Sequence, residues 1–128
     1  MKHNEADGVL NSAVAIVWKE DYCIVKSKMN YPNAFVNVHG GDEITVIGKK
    51  EDFKKEDILA IDEGWKIITL DMQRDLGVVG LVATISKALA KKGISIFVIC
   101  TYSTEQILVK KERLKDALKI LQKLGVSI

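Results

Sequence analysis

An α+β fold built from half-size modules, with antiparallel sheets carrying helices on one face, is what this sequence predicts, and three observations carry it. Between Leu76 and Val109 a helical period passes directly into two paired strand signals. A strand rich in β-branched and aromatic residues precedes that stretch, and an amphipathic helix follows it. The first half of the chain is a series of short strand runs broken by Gly, Pro and charged turns.

In chain order, His3 falls in a segment expected to be disordered. Ala13 to Trp18 and Tyr22 to Ser27 read as strands, and the charged Lys19-Glu20-Asp21 between them reads as a hairpin turn. Met29 to Ala34 contains the only proline and is too short for a full helix. Phe35 to His39 and Glu43 to Ile47 form a second strand pair around the turn Gly40-Gly41-Asp42. That turn is a plain hairpin and not a phosphate loop, since no Lys-Ser or Lys-Thr follows and no helix starts there. Glu51 to Leu59 is expected to be a brief helix rich in Lys and Glu, and Gly64 marks a junction. The modules are therefore expected at 1–64 and 65–128.

The second half is more regular. Trp65 to Leu70 is a strand that ends in the polar turn Asp71 to Asp75. Val78, Leu81, Val82, Ile85, Ala88 and Leu89 form one face of a helix, and Gly93 supplies a residue that tolerates a left-handed stop. Ile94 to Tyr102 is a strand, a turn follows around Thr104 and Glu105, and Gln106 to Lys110 returns. Leu114, Ala117, Leu118, Leu121 and Leu124 give the last helix, stopped by Gly125, with Val126 to Ile128 as the stub of a final strand. The order β-α-β-β-α is the split β-α-β, ferredoxin-like pattern.

Composition narrows the function classes. The chain has 128 residues, and 19 basic against 17 acidic residues leave a formal charge of +2, with the basic residues spread among acidic ones. Aromatics are 6% of residues and offer no stacking platform, so nucleic acid is not implied. The apolar run Ala13 to Trp18 is too short and too acid-flanked for export, and nothing approaches a membrane span, so a cytoplasmic protein is expected. Cys23 and Cys100 each lie in an apolar strand-like run and are expected to be buried, reduced thiols.

Reaction chemistry is sparse. His3 and His39 have no Cys or His neighbour at ligand spacing, and His39 reads as a solvated or hydrogen-bonding turn residue. Asp71 and Asp75 lie four apart in a loop without a His, Ser or Lys constellation around them. No catalytic residue, metal site or cofactor is expected. Binding chemistry is more specific: Gly77 and Gly80 lie at the mouth of a helix, where unpaired N–H groups can hold a carboxylate. On the residues alone, those glycines serve equally to let helix and strand pack closely.

The residues Gly77-Val78-Val79-Gly80, the junction Ala90 to Phe97 and the hairpin Thr101 to Val109 closely resemble the small two-module ACT-domain proteins, bacterial and archaeal relatives of the ACT domains in the eukaryotic cytosolic arginine sensor. The resemblance covers almost the whole chain and is best from Trp65 onward. It implies tandem ferredoxin-like ACT modules and an amino acid bound in the loop between the first strand and first helix, at an interface between modules. On that resemblance Asp75, Leu76, Gly77, Val78 and Val79 map to the loop, and Thr101, Tyr102, Thr104 and Glu105 to the hairpin facing it. Glu105 and Ser103 depart from the Asp that many relatives carry, which bears on ligand choice. The reading is a non-enzymatic, amino-acid-binding regulatory protein; the alternatives are a ligand-free assembly subunit regulating a partner enzyme, or a small enzyme of unknown type. The strand Ile94 to Tyr102 is apolar on both faces, so a homo-oligomer, most simply a two-fold dimer, is expected to cover the second face.

Overall fold

The computed structural model describes residues 3–72 and 78–128. Its helices are α1 (His3–Asn11), α2 (Leu81–Lys91) and α3 (Leu114–Lys123). Its strands are β1 (Val14–Val17), β2 (Tyr22–Ser27), β3 (Val36–His39), β4 (Ile44–Gly48), β5 (Ile58–Asp71), β6 (Ile96–Cys100) and β7 (Thr104–Lys110). The chain forms two compact units, Met1–Trp18 with Lys66–Ile128, and Lys19–Trp65. The first eighteen residues thus group with the carboxy-terminal part of the chain.

In the larger unit the strand order is β1-β5-β7-β6. Alternate residues Ile68 and Leu70 of β5 and Ile107 and Val109 of β7 point to one face, as the two-residue strand period requires. There they meet Leu10 of α1, Leu81, Ile85 and Leu89 of α2, and Ala117 and Leu121 of α3 in one buried cluster. Full burial of each leucine, isoleucine or valine side chain among them stabilises by roughly 1.5–3 kcal/mol. Both long helices end as the glycines predict. Gly93 (φ 69) donates to Ala90 O at 2.9 Å and Ile94 to Leu89 O at 3.1 Å, while Gly125 (φ 109) donates to Gln122 O at 3.0 Å and Val126 to Leu121 O at 3.1 Å. Each is a Schellman stop, closed by an apolar residue just past the glycine.

The expected final stub exists as a single parallel bridge from Ser127 to Val14. Ala15 donates to Ser127 O at 2.7 Å, and Ser127 donates to Ala13 O at 2.9 Å.

The smaller unit has the order β3-β4-β2-β5, using the first part of β5. The β3–β4 hairpin forms as expected, with Gly40 donating to Glu43 O at 2.8 Å and Gly41 at φ 78. A bulge interrupts the β2–β5 ladder: Tyr22 faces Trp65 and Ile24 faces Asp62, so Glu63 and Gly64 together oppose Cys23. Gly64 (φ 78) supplies the conformation that the bulge needs.

Four expectations are corrected. The amino-terminal segment is helix, not disorder; Ala6 and Leu10, four apart, are both buried. Gly8 and the short length hide that helix from propensity. Tyr22 to Ser27 does not hairpin with Ala13 to Trp18: β1 pairs with β5 from Val14↔Asp71 to Val17↔Ile68, and β2 pairs with β4 and β5. Alternation reveals a strand but not its partner. The helix expected over Glu51 to Leu59 is two single 3₁₀ turns, Lys50–Asp52 and Lys55–Asp57, one for each Lys-Glu-Asp repeat. Neither contains a buried residue, so no apolar face extends them into a helix. The fourth is Cys100, which is exposed at the end of β6, while Cys23 is buried.

The two thiols should therefore differ in reactivity. Burial pushes the Cys23 thiol up, and the Glu63 carboxylate adds to that effect, so little attacking thiolate forms there. Brief treatment of the native protein with iodoacetamide should label Cys100 alone, and Cys23 should react only after denaturation. Mass spectrometry of tryptic peptides checks this; equal labelling of both under native conditions would refute it.

Candidate functional site

A cavity of about 400 Å³ lies in the larger unit, lined by Val78, Gly80, Leu81, Val82, Ala83, Cys100 and Glu105. Its helical wall is the first turn of α2. Gly80 precedes that turn with φ 84 and ψ 8, and it supplies no side-chain cap. The leading N–H groups of α2 therefore belong to Leu81, Val82 and Ala83, all of which line the cavity. The Gly80 carbonyl is occupied, accepting from Thr84 N at 2.9 Å and from Thr84 Oγ1 at 2.8 Å. Small residues at 80 and 83 leave the main chain approachable.

The opposing wall comes from the β6–β7 hairpin. Cys100 and Glu105 are cross-strand partners, so the hairpin register itself sets thiol and carboxylate side by side. Glu105 shares its strand face with Ile107 and Val109, which directs it to the helix side, and it is only 1% exposed. A buried carboxylate thus lines the same cavity as the positive end of the α2 dipole.

The turn beyond this pair is closed by a side chain. Thr101 N donates to Thr104 O at 3.0 Å, while Thr104 N donates to Thr101 Oγ1 at 3.3 Å. Among the described residues no non-glycine has a positive φ, so the primed turns that usually join such strands are not used. Polar contacts continue on the other face of the sheet: Gln106 Nε2 donates to Thr104 Oγ1 at 2.7 Å, Thr69 Oγ1 bonds Gln106 Oε1, and Trp18 Nε1 donates to Thr69 Oγ1 at 2.8 Å.

Of the residues singled out in the sequence, Val78 and Glu105 line the cavity. Asp75, Leu76 and Gly77 lie outside the described residues. Val79 is 54% exposed and Tyr102 75% exposed, and neither lines the cavity, while Thr101 and Thr104 build the adjoining turn. Leu81, Val82, Ala83 and Cys100 were missed as lining residues. The first three could have been found as the leading N–H donors after Gly80, and Cys100 from the hairpin register.

His39 is the last residue of β3, not a turn residue; it is exposed and hydrogen-bonding, its Nε2 within 2.8 Å of Asn30 Oδ1. Among the described residues no group of three or more His, Cys, Asp or Glu could hold a metal ion, and no helix is long and apolar enough to cross a membrane.

Comparison with known proteins places these features. A family model described as the ACT domain matches residues 60–123. Among solved structures, a Vibrio cholerae protein of unknown function, described as a possible transport protein, is 21% identical; 98% of this chain and 99% of that one align with a TM-score of 0.77. The regulatory subunit of aspartate kinase from Thermus thermophilus is 10% identical over 86% of this chain and 95% of that one, with a TM-score of 0.60. An aspartokinase structure of α and β subunits is 15% identical over 87% of this chain and 96% of that one, with a TM-score of 0.66. At these identities the likeness is one of fold. No curated protein matches the chain.

Proposed function

The chain belongs to the ACT-domain family, and from that premise we propose that it is a regulatory protein, not an enzyme, that binds a free amino acid at the mouth of α2. The observation that carries this reading is the cavity joining two complementary groups, the leading N–H donors of α2 and the buried carboxylate of Glu105. A free α-amino acid presents a carboxylate for the first and an ammonium for the second. The loop Asp75 to Val79 and the turn Thr101 to Glu105 would flank the bound molecule, as the family resemblance implies. The regulatory subunit of an aspartate kinase shares the fold, which agrees with a regulatory role.

Strand order supports a reading as two ACT modules. In the smaller unit, β5, β2, β4 and β3 stand in the order fourth, first, third, second, as in a ferredoxin-like sheet. The larger unit repeats that order from β5, β7 and β6, with β1 filling the place of the fourth strand. A cytoplasmic location agrees with Cys23 and Cys100 not being joined in a disulfide. A thermal-shift screen against the common amino acids tests the ligand, since a ligand present at about 100 times its dissociation constant should add roughly 2.7 kcal/mol. No shift with any of them would refute the reading.

A second reading, an assembly subunit without its own ligand, is favoured by apolar surface: Val14 and Ile16 of β1 are 48% and 49% exposed, and Phe97 and Ile99 of β6 are half-buried. Both readings expect self-association, most simply as a homodimer. Sedimentation equilibrium at micromolar concentration should show a species at twice 14.2 kDa, and a monomer alone would refute this. Equilibrium dialysis separates the two readings, because only the first retains an amino acid.

A further inference from the structure

We propose that the smaller unit carries a second binding site, a groove for a small organic cation such as an alkylammonium or guanidinium group. The groove, of about 280 Å³, is lined by Tyr31, Pro32, Asn33, Ala34, Gly48, Asp52 and Phe53. It arises because neither connection of this unit is an α-helix: residues 28–35 link β2 to β3 without regular structure, and two 3₁₀ turns link β4 to β5. These irregular connections cover the sheet where Cys23, Val25 and Val46 are buried, and they leave the groove beside Gly48 between Tyr31 and Phe53.

The aromatic wall is fixed in place. Asn37 clamps the Tyr31 backbone on both sides, accepting from its N–H at 2.8 Å and donating to its carbonyl at 2.8 Å. The Tyr31 hydroxyl donates to Asp57 Oδ2 at 2.5 Å and accepts from Lys54 N at 3.0 Å, which leaves its ring without freedom to turn away. The Phe53 ring stands 4.9 Å from it, tilted by 52°. Gly48 packs closely under Phe53: a Cβ at that position would sit 3.3 Å from the ring, which would have to give by a few tenths of an ångström. This wall is set before any ligand arrives, so little side-chain entropy is lost on binding.

Charge selects the ligand. Among the described lining residues Asp52 is the one charged side chain, and aromatic faces present negative quadrupole density. Lys50, two residues before Asp52, pairs with Glu63 at 3.1 Å. A rigid aromatic wall with one carboxylate and an amide at its rim holds a small cation by cation–π attraction and one charge-assisted hydrogen bond. The site is independent of the amino-acid reading, because its residues all belong to the other unit.

The test is a ¹⁵N–¹H titration of the full chain with propylguanidinium and propylammonium chlorides, with 1-butanol as the neutral isostere and sodium chloride at matched ionic strength. Saturable shifts are expected at the amides of Tyr31, Asn33, Ala34, Gly48 and Phe53, with the alcohol binding about tenfold more weakly. Asp52 is exposed, so Asp52→Asn should leave the fold intact while weakening the cations about tenfold and the alcohol not at all. Absence of saturable shifts over these residues, equal binding of the alcohol, or no effect of Asp52→Asn would each overturn the proposal. Amides of the α2 turn are expected not to move, which keeps failure here distinct from failure of the amino-acid site.

Discussion

Replacing Gly125 with alanine is expected to destabilise the protein by roughly 2–5 kcal/mol, while the same change at Gly93 costs only about 1–2 kcal/mol. Both glycines close a Schellman stop with positive φ, 109 and 69 respectively, so both substitutions carry the left-handed penalty of a Cβ. They differ in what the new atom meets. Around Gly93 there is nothing within 4 Å, whereas a Cβ at Gly125 would stand 2.1 Å from Asn11 Oδ1 and 3.3 Å from the Asn11 Cα. The amide can swing aside, but the Cα can retreat only if the end of α1 moves. Because Leu10 and Ala13, on either side of that end, are fully buried in the core, such movement disturbs packing around both. The midpoint of thermal unfolding should fall by roughly 10 °C for Gly125→Ala and clearly less for Gly93→Ala. Equal losses would mean that the contact with Asn11 does not constrain α1.

What the sequence disclosed about the fold follows the range of each signal. Gly93 and Gly125 were readable as helix stops because the left-handed conformation at C′ is a local demand. The β3–β4 hairpin was readable for the same reason, its glycine turn and both strands lying within the thirteen residues from Val36 to Gly48. The partner of β1 was not readable: Ala13 to Trp18 has the same alternation whether it pairs with β2 nearby or with β5 some fifty residues away, and the structure pairs it with β5. The amino-terminal helix was hidden because its stability comes from burying Ala6 and Leu10 in a core assembled from distant segments, not from helix propensity. At the site, the mouth of α2 was legible through Gly80, whereas Glu105 was reached only through the family resemblance: the strand pattern set it in the turn, and the structure places it in β7, buried. The exposure of Cys100 was not legible, since an apolar run does not reveal where a strand reaches its open end.

Glu105→Gln is expected to weaken amino-acid binding by roughly 1–3 kcal/mol, about five- to 150-fold, because it removes a charge-assisted hydrogen bond and keeps the side-chain shape. Glu105 is 1% exposed and lines the cavity beside the first turn of α2, so two roles compete for its charge. In one, the carboxylate complements a ligand ammonium. In the other it complements the α2 dipole in the free protein, an interaction of about 0.3–2 kcal/mol that needs no ligand. The two roles leave different signatures in a thermal-shift titration. If Glu105 holds a ligand, the Gln variant loses the amino-acid-induced shift while its ligand-free midpoint changes little. If Glu105 serves the helix, the ligand-free midpoint falls and the induced shift survives. Ala83→Phe provides an independent check, because Ala83 is exposed and lines the cavity, so a bulky side chain there should obstruct the α2 donors without entering the core. That variant should fold as the parent does and show no amino-acid-induced shift. Full binding by both variants would place the amino-acid site elsewhere on the chain.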